Sequence, residues 1–335
     1  MSESWFDPHI RRQGGYEWLE QQVSDLTVCR NMLRQGSLSF YAASLLLPAE
    51  IREPACALYA FCRLADDAID DADRDVDAVA QLNERLDRIY AGEPHDHPAD
   101  RAMVHIANVY NMPRELLNAL IDGFQWDVDE RKYETLSDLY GYAARVAGSV
   151  GAMMSVLMGV RDPVALARAA DMGVAMQLTN IARDVGEDAG NGRIYLPRQW
   201  LREVDIDPDN WLAKPEFSNA LATVIDRLLD TAEQLYQRAR TGIAQLPVGC
   251  RPGIFAAMSV YREIGVELKR NGLNSVEHRA YVPTSRKSVL LGGAVLATLN
   301  PKPLDLTDAL TETQFLVDAV TDAGDAPPAH AFWFA

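Results

Sequence analysis

Tyr59-Ala60-Phe61-Cys62-Arg63-Leu64-Ala65-Asp66-Asp67-Ala68-Ile69-Asp70-Asp71 is the stretch on which the reading of the fold turns. From Pro54 onward, Ala57, Leu58, Phe61, Leu64, Ala65 and Ile69 recur at three- and four-residue spacing, which places them on one broad helical stripe. Pro48 and Pro54 suit the start of that helix. Asp66 and Asp70 then stack one turn apart, separated by about 6 Å along the axis, with Arg63 and Tyr59 on the same face. Like charges at this spacing repel by a few tenths of a kcal/mol when exposed. They become useful when a divalent cation sits between them, since magnesium takes one or two carboxylates, retained waters and phosphate oxygens. A lone aspartate pair is more often a solvated helix end. Here the apolar neighbours bury at least one side of the helix while the acids stay dense.

The same helical period runs through most of the chain, and strict alternation is rare. It predicts helices over Pro113–Asp129, Leu136–Gly159, Phe217–Gly242 and Gly253–Gly272. Another is predicted from Pro163 to about Glu187, stopped by Gly190-Asn191-Gly192. Links are short and carry Pro, Gly, Asp or Asn. No solenoid-length repeat or long linker divides the sequence. One all-α domain over residues 1–335 is expected, with a core of about 25–300. Residues 301–335 should add an amphipathic helix around Leu304–Val320 and a loose tail holding Pro327 and Pro328.

A second acidic row lies in Gln177-Leu178-Thr179-Asn180-Ile181-Ala182-Arg183-Asp184-Val185-Gly186-Glu187-Asp188. Asn180, Asp184 and Asp188 stand at i, i+4 and i+8, and on a continuous helix they drift by about 80° over about 12 Å. Gln177 extends the row backward. An amide oxygen and two carboxylates are hard ligands suited to magnesium or manganese. Each row alone is more often a polar helix face. Two of them on separate helices, each with an arginine, would line a carboxylate cavity if they faced each other.

Composition narrows the partner. The chain has 335 residues, a formal charge of −16 and 48% apolar residues. That balance, without a Lys/Arg cluster, excludes nucleic acid. Cation-bridged diphosphate remains compatible with it. Cys29, Cys56, Cys62 and Cys250 form no CxxC pair and read as reduced thiols of a cytosolic protein. His95 and His97 fall in a Pro-flanked polar loop. The first twenty residues contain no apolar run of signal-peptide type. Val289–Leu299 is too short to span a bilayer, which takes about 20 residues. With Arg286 and Lys287 before it, it reads either as a core helix or as a shallow membrane contact.

In order along the chain, these segments resemble the squalene/phytoene synthase family, and most closely its bacterial phytoene synthase branch. The resemblance runs from about Cys29 to Leu291. It is carried by Gly36-Ser37-Leu38-Ser39-Phe40, by Tyr59–Asp71, and by Tyr142-Ala143-Ala144-Arg145-Val146-Ala147-Gly148-Ser149-Val150-Gly151. The row Asn180–Asp188, continuing to Arg193-Ile194-Tyr195-Leu196-Pro197, completes it. Taken alone, Ser37 is a helix N-cap, Tyr142 a core tyrosine, and Gly148 and Gly151 helix contact points. The ordered set overrides those separate readings.

The resemblance implies the class I terpenoid synthase-like fold, an isoprenoid synthase bundle around a central cavity. It implies metal ligation by Asp66, Asp70, Asn180, Asp184 and Asp188, with magnesium or manganese and no NADPH. Diphosphate contacts are expected from Ser37, Ser39, Tyr59, Arg63, Arg183, Arg193 and Tyr261. Tyr142 and Gln177 are expected at the reacting centre, with Arg63 and Arg183 assisting. The implied reaction joins two geranylgeranyl diphosphates head to head, through prephytoene diphosphate, to phytoene in carotenoid biosynthesis. Tyr142 would stabilise positive charge through its ring, and its hydroxyl or the departed diphosphate would take the proton. The alternative is a C15 relative giving presqualene diphosphate, dehydrosqualene or squalene. A non-catalytic protein on this fold, or a scaffold with solvated acids, is set against intact acidic motifs. Greasy substrates imply a cytoplasmic protein touching the inner face of the membrane peripherally, with contacts to other carotenoid-pathway enzymes.

Overall fold

The structure, a computed structural model, describes residues 16–70, 78–299 and 302–324. Every regular element among them is helical. Helices α1 (Tyr16–Gly36), α2 (Leu38–Ser44) and α3 (Ala49–Asp70) open the chain, followed by α4 (Ala78–Ala91), α5 (Pro98–Val109) and α6 (Arg114–Val128). Helix α7 (Leu136–Ala143) passes through a π-helical turn (Ala144–Gly148) into α8 (Ser149–Leu157), and α9 (Pro163–Arg183) is followed at once by α10 (Val185–Gly190). Two short helices, α11 (Arg198–Glu203) and α12 (Pro208–Ala213), precede α13 (Asn219–Gly242), α14 (Arg251–Arg270), α15 (Thr284–Ala297) and α16 (Gln314–Asp322).

Local chemistry sets the helix starts. Asp162 accepts from the amide of Ala165 with Pro163 at the first helical position, which launches α9. Ser218 caps α13 through the Leu221 amide, and Thr135 with Asp138 forms a capping box on α7. Helix α9 is the axis of the bundle. It packs most extensively on α13 and is also covered by α8, α14, α16 and the π-turn. Such a helix must be apolar nearly all round. Its buried residues accordingly run from Ala165 to Ala182 with few interruptions.

Three predicted helices differ from the structure, each for a tertiary reason. The helix predicted through Glu187 ends at Arg183, because Asp184 leaves helical geometry at φ −105°, ψ 16°. The amide of Gly186 is taken by the carbonyl of Ser275 at 3.0 Å, and a side chain at Gly186 would collide with the carbonyl of Val276. The helix predicted over Leu136–Gly159 carries the π-turn, where the backbone of Gly173 lies directly on the carbonyl of Ala147. The tail helix predicted from Leu304 begins only at Gln314. The carbonyls of Asp305, Thr307 and Asp308 instead accept hydrogen bonds from Arg168, at 3.2, 3.2 and 3.3 Å. In addition, Pro54 lies inside α3 rather than at its start. Pro327 and Pro328 of the expected loose tail lie outside the described residues.

Helix α15 settles the reading of Val289–Leu299. Only Ala294 is buried there, while Val289, Leu296 and Leu299 are 62%, 68% and 77% exposed, so the segment is a surface helix. Among the described residues, no helix is long and apolar enough to cross a membrane.

Gly173→Ala tests the contact between α9 and the π-turn. The added methyl would meet the backbone carbonyl of Ala147 and lie 2.8 Å from the amide nitrogen of Gly148. Overpacking of this kind costs about 1–3 kcal/mol, so the urea midpoint should fall by the corresponding amount.

Candidate active site

A cavity of about 830 Å³ runs through the middle of the bundle. One end is polar. There α3 contributes Tyr59, Arg63 and Asp66, and α9 contributes Gln177, Asn180 and Arg183. Ser37 and Ser39, at the start of α2, and Tyr261 of α14 complete that wall. The two acidic segments therefore converge on one space through Asp66 and Asn180. Away from them the lining becomes apolar, with Leu58, Phe124, Val150, Met154 and Met172 among the residues that form it.

Aromatic packing joins the two halves of the polar end. Phe40 stacks on Tyr261 at 4.8 Å and meets Tyr59 edge-on at 6.4 Å. Burial pushes the hydroxyl of Tyr261 up to about 12, against the opposing pull of Arg183. Burial also raises Tyr59, and Arg63 opposes that shift. Ser37 is indeed the N-cap of α2, accepting from the amide of Phe40 at 3.2 Å, while its side chain also faces the cavity.

The carboxylates are held by arginines. Arg63 pairs with Asp66 at 3.5 Å and with Asp67 at 2.6 Å. Asp184 accepts from Nε of Arg183 at 2.7 Å and pairs with Arg279 at 2.9 Å. Arg279 also reaches Glu187 at 3.1 Å. The break after Arg183 takes Asp184 and Asp188 off the straight row, and neither lines the cavity. Asp188 is pushed up to about 8, first by burial and then by Asp184 and Glu187, with Arg193 opposing. Arg193 thus belongs beside Asp188 rather than on the cavity wall. The side chain of Asp70, the last residue of α3, lies outside the described residues.

Whether these residues suit a metal can be judged from their own chemistry. Among the described residues, no three His, Cys, Asp or Glu side chains gather at metal-binding separation. However, Oδ1 of Asn180 is buried and receives no hydrogen bond. Such orphaned acceptors are rare in native interiors and call for a missing donor or ion. Next to it in sequence stand a self-repelling carboxylate group, Asp184, Glu187 and Asp188. An orphaned amide oxygen, and a carboxylate at Asp188 that burial disfavours as a bare anion, fit a hard divalent cation.

The residues that sequence reasoning missed surround Tyr142. Its hydroxyl donates to Oδ2 of Asp127 at 2.8 Å, and Tyr195 donates to Oδ1 of the same carboxylate at 2.7 Å. The rings of Tyr142 and Tyr195 stack at 5.0 Å, with Tyr133 at 5.2 and 5.7 Å from them. Burial, reinforced by Asp127, raises the Tyr142 hydroxyl well above its ordinary value. Its proton is therefore committed to Asp127. Asp127 sits between Trp126 and Val128 near an acidic helix end, which in the sequence alone reads as solvated. Arg279 and Lys287, which also line the cavity, come from loop and helix positions without periodic signal.

A helical bundle enclosing a long apolar cavity with one ionic end is the class I terpenoid synthase-like architecture. In agreement, a dehydrosqualene synthase of known structure superposes with a TM-score of 0.76 at 30% identity, covering 84% of this chain and 98% of that one. A squalene synthase from Alicyclobacillus acidocaldarius gives 0.65 at 30% identity, with 76% and 96% covered. A family model described as squalene/phytoene synthase matches residues 33–287. A phytoene synthase from Rhodobacter capsulatus is 48% identical over 304 residues, spanning 88% of this chain and 90% of that protein. One from Cereibacter sphaeroides is 50% identical over 289 residues, spanning 83% and 81%. The chain belongs to the squalene/phytoene synthase family.

Asp127→Asn offers one acceptor oxygen where two hydroxyls now bind. Leaving a buried hydroxyl unpaired costs about 1–3 kcal/mol, which denaturant unfolding should register. Combining it with Tyr142→Phe removes one of the competing hydroxyls, so the two losses should be less than additive.

Proposed function

We propose that this chain is a phytoene synthase, joining two geranylgeranyl diphosphates head to head, by way of prephytoene diphosphate, to give phytoene. Identity of about one half to bacterial phytoene synthases, spread over more than four fifths of the chain, is the observation that carries it. The cavity supports it too, since an ionic end joined to a long apolar body matches a diphosphate joined to a long hydrocarbon.

Position supports a role for several of these residues. Arg63 and Arg183 stand at the ionic end, where fixed positive charge stabilises a departing diphosphate as its carbon–oxygen bond breaks. Ser37, Ser39, Tyr59 and Tyr261 offer hydroxyls to the same oxygens. Magnesium, or manganese in its place, fits the hard-oxygen set Asp66, Asp70, Asn180, Asp184 and Asp188, and when bound supplies charge that offsets the leaving group. The apolar wall excludes water, which would otherwise capture a carbocation. Tyr142 faces that wall with its ring, whose π face favours nearby positive charge. Its hydroxyl keeps its own proton and donates to Asp127, so the carboxylate is the acceptor of the pair. Gln177 lines the cavity between the ionic end and Met176. Phytoene forms by proton loss, so no nicotinamide reductant enters. The exposed apolar face of α15 is where a cytoplasmic protein of this kind would rest on the inner face of the membrane and reach greasy substrates or neighbouring pathway enzymes.

Purified protein given C20 diphosphate and magnesium should yield phytoene, identified by chromatography and mass. Preferred turnover of C15 diphosphate to presqualene diphosphate, dehydrosqualene or squalene would replace this reading with that of its C15 relatives. Asp66→Ala and Asp184→Ala should each abolish turnover with the circular dichroism spectrum unchanged; wild-type rates at limiting magnesium would reject their assignment. Tyr142→Phe should lower turnover if the hydroxyl takes part, and near-normal product formation removes it from the chemistry.

The pH dependence of metal binding gives a separate check. Asp188 titrates near 8 in the folded protein and near 3.9 when unfolded, so the metal-free fold binds the proton more tightly. Its contribution to stability is full below about pH 4 and is lost as pH rises through about 8. A cation competes with that proton. The rise in Tm on adding magnesium should therefore be larger at pH 8.5 than at pH 6.5.

A further inference from the structure

The far end of the cavity holds a charged side chain that the reaction has no use for. Along α9 the cavity is faced by a single stripe that descends from Asn180 through Met176, Met172 and Ala169 to Arg168 and Ala165. At 1.5 Å per residue it is about 22 Å long. Ala169 is still half-buried and open to the lumen, whereas Ala165 is 3% and Arg168 1% exposed. Ala165 is the last residue of α9 on the cavity wall.

Arg168 faces the lumen with its carbon stem, since its guanidinium is drawn out of the cavity. Nε lies 3.0 Å from Asp171, and the terminal nitrogens donate to the carbonyls of Asp305, Thr307 and Asp308. Asp171 is shared with Arg238 at 3.0 Å, and Arg238 donates to the carbonyl of Asp308 at 2.8 Å. From the other side, α13 presses on the stem. A side chain at Gly242 would collide with Cβ of Arg168 and stand 3.0 Å from its Cγ. A fully buried guanidinium is costly to desolvate and needs a paired charge and hydrogen-bond acceptors. Asp171, itself raised to about 6 by burial, supplies the charge, and the carbonyls of residues 305–308 accept from the terminal nitrogens, while Nε makes no hydrogen bond.

We propose that the methylene stem of Arg168 is the floor that sets the longest isoprenoid tail the cavity accepts. The proposal rests on the reading of the site as one for isoprenoid diphosphates. It predicts that prenyl chains one unit longer than C20 are refused by this stem, not by the ionic end.

Arg168→Ala removes stem and charge; Arg168→Met removes the charge and keeps a stem of similar length. If the residue only pins the C-terminal segment, both variants change alike. Dissociation constants of unreactive C15, C20 and C25 thiodiphosphates, measured with magnesium by calorimetry, separate the cases. Burying extra methylenes is favourable enough that Arg168→Ala should shift the C25 to C20 affinity ratio by about tenfold toward C25. Arg168→Met should keep the wild-type ratio. Gly242→Ala leaves the ion pairs intact but pushes the stem into the lumen, and should shift the C20 to C15 ratio toward C15. The same shifts should appear in product lengths under turnover. Equal ratios in the two Arg168 variants would overturn the proposal. Should neither variant fold, an unchanged ratio in Gly242→Ala would overturn it and a shift toward C15 would uphold it. Wild-type protein that binds the analogues yet turns over neither C15 nor C20 diphosphate would count against the proposed activity alone.

Discussion

A long hydrocarbon with a charged head can be held only where an apolar wall continues unbroken from an ionic end to a closed one. Helix α9 supplies that continuity. Its cavity-facing stripe passes from Arg183 and Asn180 through methionines and alanines to Arg168, and neighbouring helices are arranged around it. Burial on nearly every side explains why its sequence carries so much alanine. Gly173 lies against the backbone of Ala147, and Gly151 against that of Ala169, contacts that no larger residue permits. The same close approaches bring the π-turn and α8 against α9 along the wall of the lumen.

Charge is managed differently at the two ends. At the ionic end, arginines and carboxylates are paired but not exhausted. Asp188 is held protonated up to about 8 by burial and by Asp184 and Glu187, and Asn180 keeps an acceptor without a donor. That is an environment short of positive charge, ready for a cation-bound diphosphate. At the closed end, Arg168 pairs with Asp171 and donates to the backbone behind it, which draws its charged group away from the lumen. Between the two, Tyr142 and Asp127 both stand on the wall, and the hydroxyls of Tyr142 and Tyr195 donate to the Asp127 carboxylate.

The helices and both acidic segments were legible in the sequence because they depend on local spacing. Apolar periodicity in Pro54–Asp71 and the caps at Asp162 and Ser218 need only neighbours a few residues away. The break at Asp184 was not legible, since its cause is the carbonyl of Ser275, some ninety residues later. The non-helical run of 302–310 escaped for a similar reason, its carbonyls being claimed by Arg168 and Arg238. Asp127 went unnoticed because an aspartate near a helix end has no local mark that distinguishes a solvated acid from one shared by two buried tyrosines.

The sequence by itself determined an all-helical chain, two acid-bearing segments and their likeness to one family of prenyl-joining enzymes. Those are properties of short-range periodicity and of residue order, which a linear chain carries openly. Only the tertiary structure decided which side chains share the cavity, where Asp184 and Asp188 turn away from it, and what closes its far end. Each of these depends on contacts between segments far apart in the chain, and such contacts exist only once the helices have packed.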